Sequence, residues 1–223
     1  SSASSRLKIS GGWNLAGTPA KDGHTFFWQD NSGNRYGYGL SFDRSYIHID
    51  GAELGFFRFR YGLLDEITSS GNLIDGVTSN GNMYFGISTV GSNHIIQNCV
   101  ACGTIQSGYP AIQLSSAKGS AITNCRVLSN HYGIKFSGGA SHCTVSNCYI
   151  NQNTVGLFSD YYSCDNIVSG CEVKNNTDGI WLQAGSVGWI VASSTFGSNT
   201  HAIYLTLGGS VVLYNMAHDE STW

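Results

Sequence analysis

Residues 168–183 read VSGCEVKNNTDGIWLQ, and two short patterns inside this stretch decide the fold. The first is Val168-Ser169-Gly170-Cys171: an aliphatic residue, any residue, Gly or Asn, then a small residue. The second is Gly179-Ile180-Trp181-Leu182: Gly or Ala, an aliphatic residue, any residue, then an apolar one. Working outward, the first pattern recurs at Ile49-Asp50-Gly51-Ala52, Ile74-Asp75-Gly76-Val77, Ile96-Gln97-Asn98-Cys99 and Ile122-Thr123-Asn124-Cys125. It continues at Val145-Ser146-Asn147-Cys148, Val191-Ala192-Ser193-Ser194 and Leu213-Tyr214-Asn215-Met216. The fourth positions are spaced 25, 22, 26, 23, 23, 23 and 22 residues apart. The second pattern runs in parallel at Ala111-Ile112-Gln113-Leu114, Gly133-Ile134-Lys135-Phe136 and Ala202-Ile203-Tyr204-Leu205, and less completely at Gly86-Ile87 and Gly156-Leu157-Phe158.

A unit of this length cannot bury its own apolar face; stacked copies can. Strands then pair with their copies one coil away, ~4.8 Å along the axis. The bend position is Gly or Asn in seven of the eight copies. Those residues tolerate φ > 0, so a tight left-handed bend should separate two strands there. A second column, Asn130, Asn153, Asn176 and Asn199, is spaced 23 residues apart and predicts asparagines hydrogen-bonded along the axis. The expectation is an all-β solenoid, a parallel β-helix of about eight coils over residues 46–223.

Over residues 46–216 these patterns resemble the right-handed parallel β-helix of the pectate-lyase-like superfold. The resemblance implies three strands per coil. The stretch before the Gly/Asn bend would be the second and the stretch after it the third. The Gly-Ile-x-Leu stretch would be the first, whose outer face carries substrate in polysaccharide-degrading members. Such members use a basic residue to take the proton α to a uronate and acidic residues to hold Ca²⁺. No motif of a particular enzyme family is matched, so no catalytic residue transfers.

Residues 1–45 do not keep the period and contain Trp13, Phe26, Phe27, Trp28, Tyr36 and Tyr38. They read as an N-terminal capping segment that stops edge pairing. At the far end, His218-Asp219-Glu220-Ser221-Thr222-Trp223 leaves little sequence for a second cap. That end is expected to meet further chain or another subunit.

Composition narrows the partners. Only 11% of residues are charged and the net charge is −3, which gives no electrostatic case for nucleic acid or an anionic membrane. No apolar run approaches the ~20 residues of a membrane-spanning helix. The opening SSASSRLKISGG is not a signal peptide. Seven cysteines cannot all pair, and Cys99-Val-Ala-Cys102 stands alone without a second such motif. The inward column Ala52, Val77, Cys99, Cys125, Cys148, Cys171, Ser194, Met216 accounts for four of them as small buried thiols, and leaves Cys143 and Cys164 unassigned. Asn175-Asn176-Thr177 is a glycosylation sequon, meaningful only in a secreted eukaryotic protein.

The outward column of the first strand reads Leu64, Ser88, Gln113, Lys135, Phe158, Trp181, Tyr204. Its last three members are aromatic and lie on consecutive coils. Exposed rings at this spacing suit a sugar chain, a subunit interface or a covering loop. Gln113, Lys135, Phe158, Trp181 and Tyr204 are therefore the candidate substrate-binding residues. Beside them, Asp178 and His201 occupy equivalent positions on adjacent coils, and a carboxylate next to an imidazole can orient it for proton transfer. Asp50 and Asp75 likewise share a column before the bend. Two such carboxylates suit a turn, a Ca²⁺ site or a glycosidase pair. Phe57-Arg58-Phe59-Arg60-Tyr61 reads as an edge-like strand with both arginines on one face, near Asp65-Glu66. The functional expectation is an extracellular, cell-surface or virion-associated protein that binds and cleaves a polysaccharide, by hydrolysis or elimination. It requires no cofactor, with Ca²⁺ as an option. The alternative is a non-enzymatic surface-layer, adhesin or tailspike-type segment, such as a homotrimer that buries the same aromatics.

Overall fold

The bend position of the repeat holds left-handed backbone. In the computed structural model, which describes residues 7–10, 25–28, 38–42, 45–51, 54–65 and 69–218, Gly76, Asn98, Asn124, Asn147, Gly170, Ser193 and Asn215 have φ between 49° and 71°. Gly51 is the exception in this column. A Cβ there would strike the Val77 side chain, so space rather than dihedral freedom calls for glycine. A second left-handed column closes the next strand at Gly81, Gly103, Ser129, Gln152, Asn175 and Ser198.

These bends divide each coil among three parallel sheets. The first sheet holds nine strands: eight stacked from Tyr38–Phe42 to His201–Leu205, and the short Ser69–Ser70 strand paired with Phe85–Ser92. The second holds nine, from Leu7–Ser10 to Val211–Tyr214, and carries the stretches before the Gly/Asn bend. The third holds nine, from Thr25–Trp28 to Ala217–His218. Eight coils thus contribute to all three sheets; the first of them lies within residues 1–45, so residues 46–218 hold seven complete coils and part of another, close to the eight expected. No helix occurs among the described residues. Within residues 1–45, Leu7–Ser10, Thr25–Trp28 and Tyr38–Phe42 pair in parallel with Ile47–Asp50, Leu54–Phe57 and Tyr61–Asp65. The rest of the expected capping segment lies outside the described residues, as do Ala52 and Glu66.

The core is a set of stacked columns. Ile112, Ile134, Leu157 and Ile180 pair in register on the first sheet, and each is fully buried. Ile122, Val145, Val168 and Val191 do the same on the second, and Val127, Ile150, Val173 and Phe196 on the third. Cys99, Cys125, Cys148 and Cys171 are buried free thiols, as expected from their column. Each thiol donates to the carbonyl two residues back, as Cys148 does to Ser146 O at 3.3 Å. The adjacent Cys125 thiol and burial push Cys148 up to about 12. Cys143 is also buried and free, and Cys164 is half-buried and free.

Polar ladders hold the corners. Asn130 Nδ2 donates to Asn153 Oδ1 at 2.9 Å, Asn153 to Asn176 at 3.1 Å and Asn176 to Asn199 at 3.0 Å. A second ladder uses unlike residues. Asn72 Oδ1, His94 Nδ1, Ser120 Oγ and Asn166 Oδ1 accept backbone N–H groups from the preceding coil at 2.8, 3.3, 3.0 and 2.9 Å.

Residues 57–61 are not one strand. Phe57 ends a strand of the third sheet and Tyr61 begins one of the first. Arg58 turns the corner with φ 63°, which breaks the expected alternation. Asp65 points inward and is fully buried, accepting from the Ser69 hydroxyl and from Asn72 Nδ2. At the far end, the inward Leu205 and Leu213 are each 43% exposed.

Candidate functional site

The outer face of the first sheet is built by alternation. Inward residues alternate with outward ones along each strand, and in-register pairing turns each outward position into a column. Ser88 pairs with Gln113, Gln113 with Lys135, Lys135 with Phe158, Phe158 with Trp181, and Trp181 with Tyr204. The glycine two positions before Trp181 keeps successive coils close, since a Cβ on Gly179 would strike the Ala202 carbonyl.

The three rings do not form an open strip. Phe158 is buried at 4% exposure, Trp181 is intermediate and Tyr204 is 41% exposed. The expectation of an exposed Phe158 is thus corrected. Tyr132 stacks on its face, with ring centroids 4.4 Å apart and planes 10° from parallel. The Lys135 ammonium lies 5.3 Å above the same ring, and Trp181 meets it edge-on at 5.1 Å. Trp181 and Tyr204 follow at 5.7 Å, tilted by 58°. The Trp181 Nε1–H is buried and has no acceptor among the described residues.

Polar residues of the strip turn to neighbours. Lys135 Nζ sits 3.5 Å from Asp160 Oδ2. Gln113 Nε2 donates to Ser137 Oγ at 2.8 Å. Beyond the strip, a cleft of about 520 Å³ is lined by Tyr161, Gln183, Ala184, Tyr204, Leu205, Thr206 and Leu207. Tyr161, 56% exposed, lines it together with Tyr204. Tyr132 was legible, since it precedes Gly133 just as Asp178 precedes Gly179. Tyr161 and Gln183 sit in turns outside the repeat and carried no signal. A further group of rings, Tyr61, Tyr84, Phe85 and Tyr109, with centroids 4.4–5.6 Å apart, extends the aromatic face toward the other end, with Arg60 5.0 Å from the Tyr84 ring.

Asp178 and His201 meet. They pair in register on adjacent strands, and His201 Nδ1 lies 2.7 Å from Asp178 Oδ1. The His201 side chain is 54% exposed and that of Asp178 15%. An ionised carboxylate can only accept, so Nδ1 carries the proton and the Nε2 lone pair is left facing outward. The imidazole also lies 5.6 Å from the Tyr204 ring.

Asp50 and Asp75 pair in register as well, but on the second sheet. Asp75 Oδ1 accepts from Asn98 Nδ2 at 2.7 Å and Oδ2 from Gln97 Nε2 at 2.9 Å. Both oxygens already serve the next coil. Among the described residues no three His, Cys, Asp or Glu side chains gather as a metal site. A Ca²⁺ ion takes six to eight oxygens; this pair offers at most four, and the two of Asp75 already accept amide N–H groups.

Parallel coils, Gly/Asn bends and an inward aliphatic column place the chain in a known family. It belongs to the right handed beta helix region family, whose model matches residues 62–217. No curated protein matches the chain. Among solved structures, it is similar to the periplasmic alginate epimerase AlgG, with TM-score 0.66 and 18% identity over 80% of this chain and 51% of that one. It is also similar to the pectate lyase Pel9A, with TM-score 0.62 and 16% identity over 83% and 55%. The Agl-KA catalytic domain gives TM-score 0.59 and 19% identity over 85% and 43%. The chain spans about half the length of these proteins. At such identities the likeness concerns the fold.

Proposed function

We propose that the protein binds an extracellular or periplasmic polysaccharide along the outer face of the first sheet and removes a proton from it with His201. The observation that carries this reading is the 2.7 Å contact between His201 Nδ1 and Asp178 Oδ1 beside the partly open Trp181 and Tyr204 rings. Asp178 holds the imidazole in one tautomer, and the outward Nε2 is the base. The carbon next to a uronate carboxylate offers a proton to such a base. Its loss leads either to elimination, in which the bond to the neighbouring glycosidic oxygen breaks and that oxygen takes a proton, or to return of a proton on the opposite face. AlgG and Pel9A act, by their names, on alginate and pectate, both uronate polymers, which favours this substrate class. Lys135 supplies a cation for a carboxylate along the same strip, and Gln113, Trp181 and Tyr204 supply polar and ring contacts. Hydrolysis by paired carboxylates has less support. Asp50 and Asp75 stand on another sheet from the rings, and Asp75 is committed to amides.

The test uses polymannuronate, polyguluronate and polygalacturonate in D₂O. Elimination appears as ultraviolet absorbance of the unsaturated uronate, and epimerisation as deuterium entering the ring without it. His201→Ala should lose at least ~100-fold in rate; an undiminished rate would remove His201 from the chemistry.

One observation favours a second reading. Ile167, Ile190 and Val212, outward on the second sheet, are 38%, 40% and 62% exposed. This apolar column suits a non-enzymatic surface or receptor-binding segment that associates as a trimer. A stable trimer by light scattering, together with no turnover of the three polymers, selects it.

A further inference from the structure

Beside the dyad, on its other flank, runs a groove that the aromatic strip does not include. Each coil leaves the third sheet through a left-handed residue and passes a ladder asparagine whose amide is spent inward. The next residue faces out: His131, Thr154, Thr177 and Thr200, one position before Tyr132, Val155, Asp178 and His201. Backbone bonds hold them in register, since the N–H groups of Thr154, Thr177 and Thr200 donate to Asn130, Asn153 and Asn176 carbonyls at 2.9, 3.3 and 3.3 Å. Together with Ile105 they line a groove of about 620 Å³ that runs along the axis.

Three properties define what the groove can take. First, three of its hydroxyls are unspent. Thr154, Thr177 and Thr200 are exposed, and their hydroxyls have no partner among the described residues. This contrasts with the asparagines behind them, whose amides are fully engaged. Second, it carries no formal charge: no Asp, Glu, Lys or Arg lines it. His131 is neutral at pH 7, because burial lowers its pKa and its Nδ1 accepts from the Gly108 N–H at 3.2 Å, which leaves Nε2 as a donor. Third, the hydroxyls repeat at the coil spacing of ~4.8 Å, close to the length of one sugar ring in an extended chain. A row of free threonine hydroxyls at that interval fits the hydroxyl edge of a polysaccharide. Ile105, 57% exposed at one end, offers an apolar ring contact.

We propose that this groove binds an extended stretch of polysaccharide parallel to the helix axis, through its hydroxyl edge, and leads one sugar unit to His201. The proposal deepens the reading of Asp178–His201 as the reacting pair, because Thr177 and Thr200 adjoin those residues directly. It differs in placing the chain on the turn flank of the dyad rather than over the aromatic rings alone.

The experiment measures affinity by titration calorimetry for trimers and hexamers of mannuronate, galacturonate and β-glucose, with the unaltered protein, Thr177→Val, the double variant Thr177→Val/Thr200→Val, Thr177→Ser and His201→Ala. Valine keeps the shape and removes only the hydroxyl, and melting temperature checks the fold. The expected result is a fivefold or greater loss of hexamer affinity in the valine variants, a smaller loss for the trimer, and recovery in Thr177→Ser. Valine variants that bind the hexamer as tightly as the unaltered protein overturn the groove, whatever the dyad does. Failure of all three hexamers to bind the unaltered protein overturns it too. His201→Ala that still turns over polymer, with affinity lost only in the valine variants, sinks the dyad and leaves the groove standing.

Discussion

His201 illustrates how much one residue owes to its neighbour on the next coil. Its Nδ1 is held by Asp178, which leaves the other ring nitrogen for the proposed role as base. Asp178→Asn keeps the shape but replaces an acceptor-only carboxylate with an amide that can also donate, so the tautomer is no longer fixed. The variant is expected to lose roughly 10- to 100-fold in rate with binding of the polymer little changed; steady-state kinetics on a turned-over polyuronate checks this. The cysteines make a second residue-scale case. Five of the seven are buried; adjacent thiols and burial raise the pKa values of Cys125, Cys148 and Cys171, and burial raises that of Cys143. Reagent access separates the two groups, so a disulfide reagent at pH 8 should titrate the partly exposed Cys102 and Cys164 in the native protein and all seven thiols after denaturation. Rapid reaction of more than two native thiols would contradict the stacked core column.

At the scale of elements, the asparagine ladder and the glycines before the first sheet do different work. Asn153 accepts from Asn130 N and Nδ2, and donates to Val127 O and Asn176 Oδ1. Asn153→Ala strands buried backbone groups on two coils and should cost about 3 kcal/mol or more, read from urea denaturation midpoints. Gly179→Val forces a side chain against the Ala202 carbonyl and the Phe196 ring, and should prevent close stacking of the last coils. Both elements were legible because their residue types repeat every 23 positions. The Asn72–His94–Ser120–Asn166 ladder performs the same duty with three residue types at uneven intervals, and a search for one recurring residue passes over it.

Over the whole molecule, each coil touches only its neighbours, so stability is a chain of nearest-neighbour terms. Val212, Leu213 and Tyr214 are 62%, 43% and 70% exposed, while Ile122 and Val145 are fully buried. Hydrogen exchange should therefore release amides of 211–214 first and those of 122–157 last. Acid adds a second global effect through His94. Burial lowers its pKa, so it stays neutral in the fold while the unfolded chain binds a proton below 6.5. Its contribution is complete above the ordinary histidine value and is lost as the pH falls from there through the lower folded value, with a slope of at most ~1.4 kcal/mol per pH unit. Melting temperatures between pH 7 and 5 should fall, and His94→Gln should flatten that fall.

What the sequence by itself determined is register. In a stack of parallel coils, residues one period apart must lie on top of one another. Spacing alone therefore placed Asp178 beside His201, Trp181 between Phe158 and Tyr204, and the thiols in a column. The left-handed corners were equally legible, because Gly and Asn are the residues that accept φ > 0. Only the tertiary structure decided what covers each outward side chain. Phe158 lies under Tyr132, which belongs to a different column; Asp65 turns inward to Ser69 and Asn72; Tyr161 and Gln183 form a cleft from turns that do not repeat. Coverage depends on sideways neighbours and on turn lengths, and neither is written in a period that counts residues along the axis.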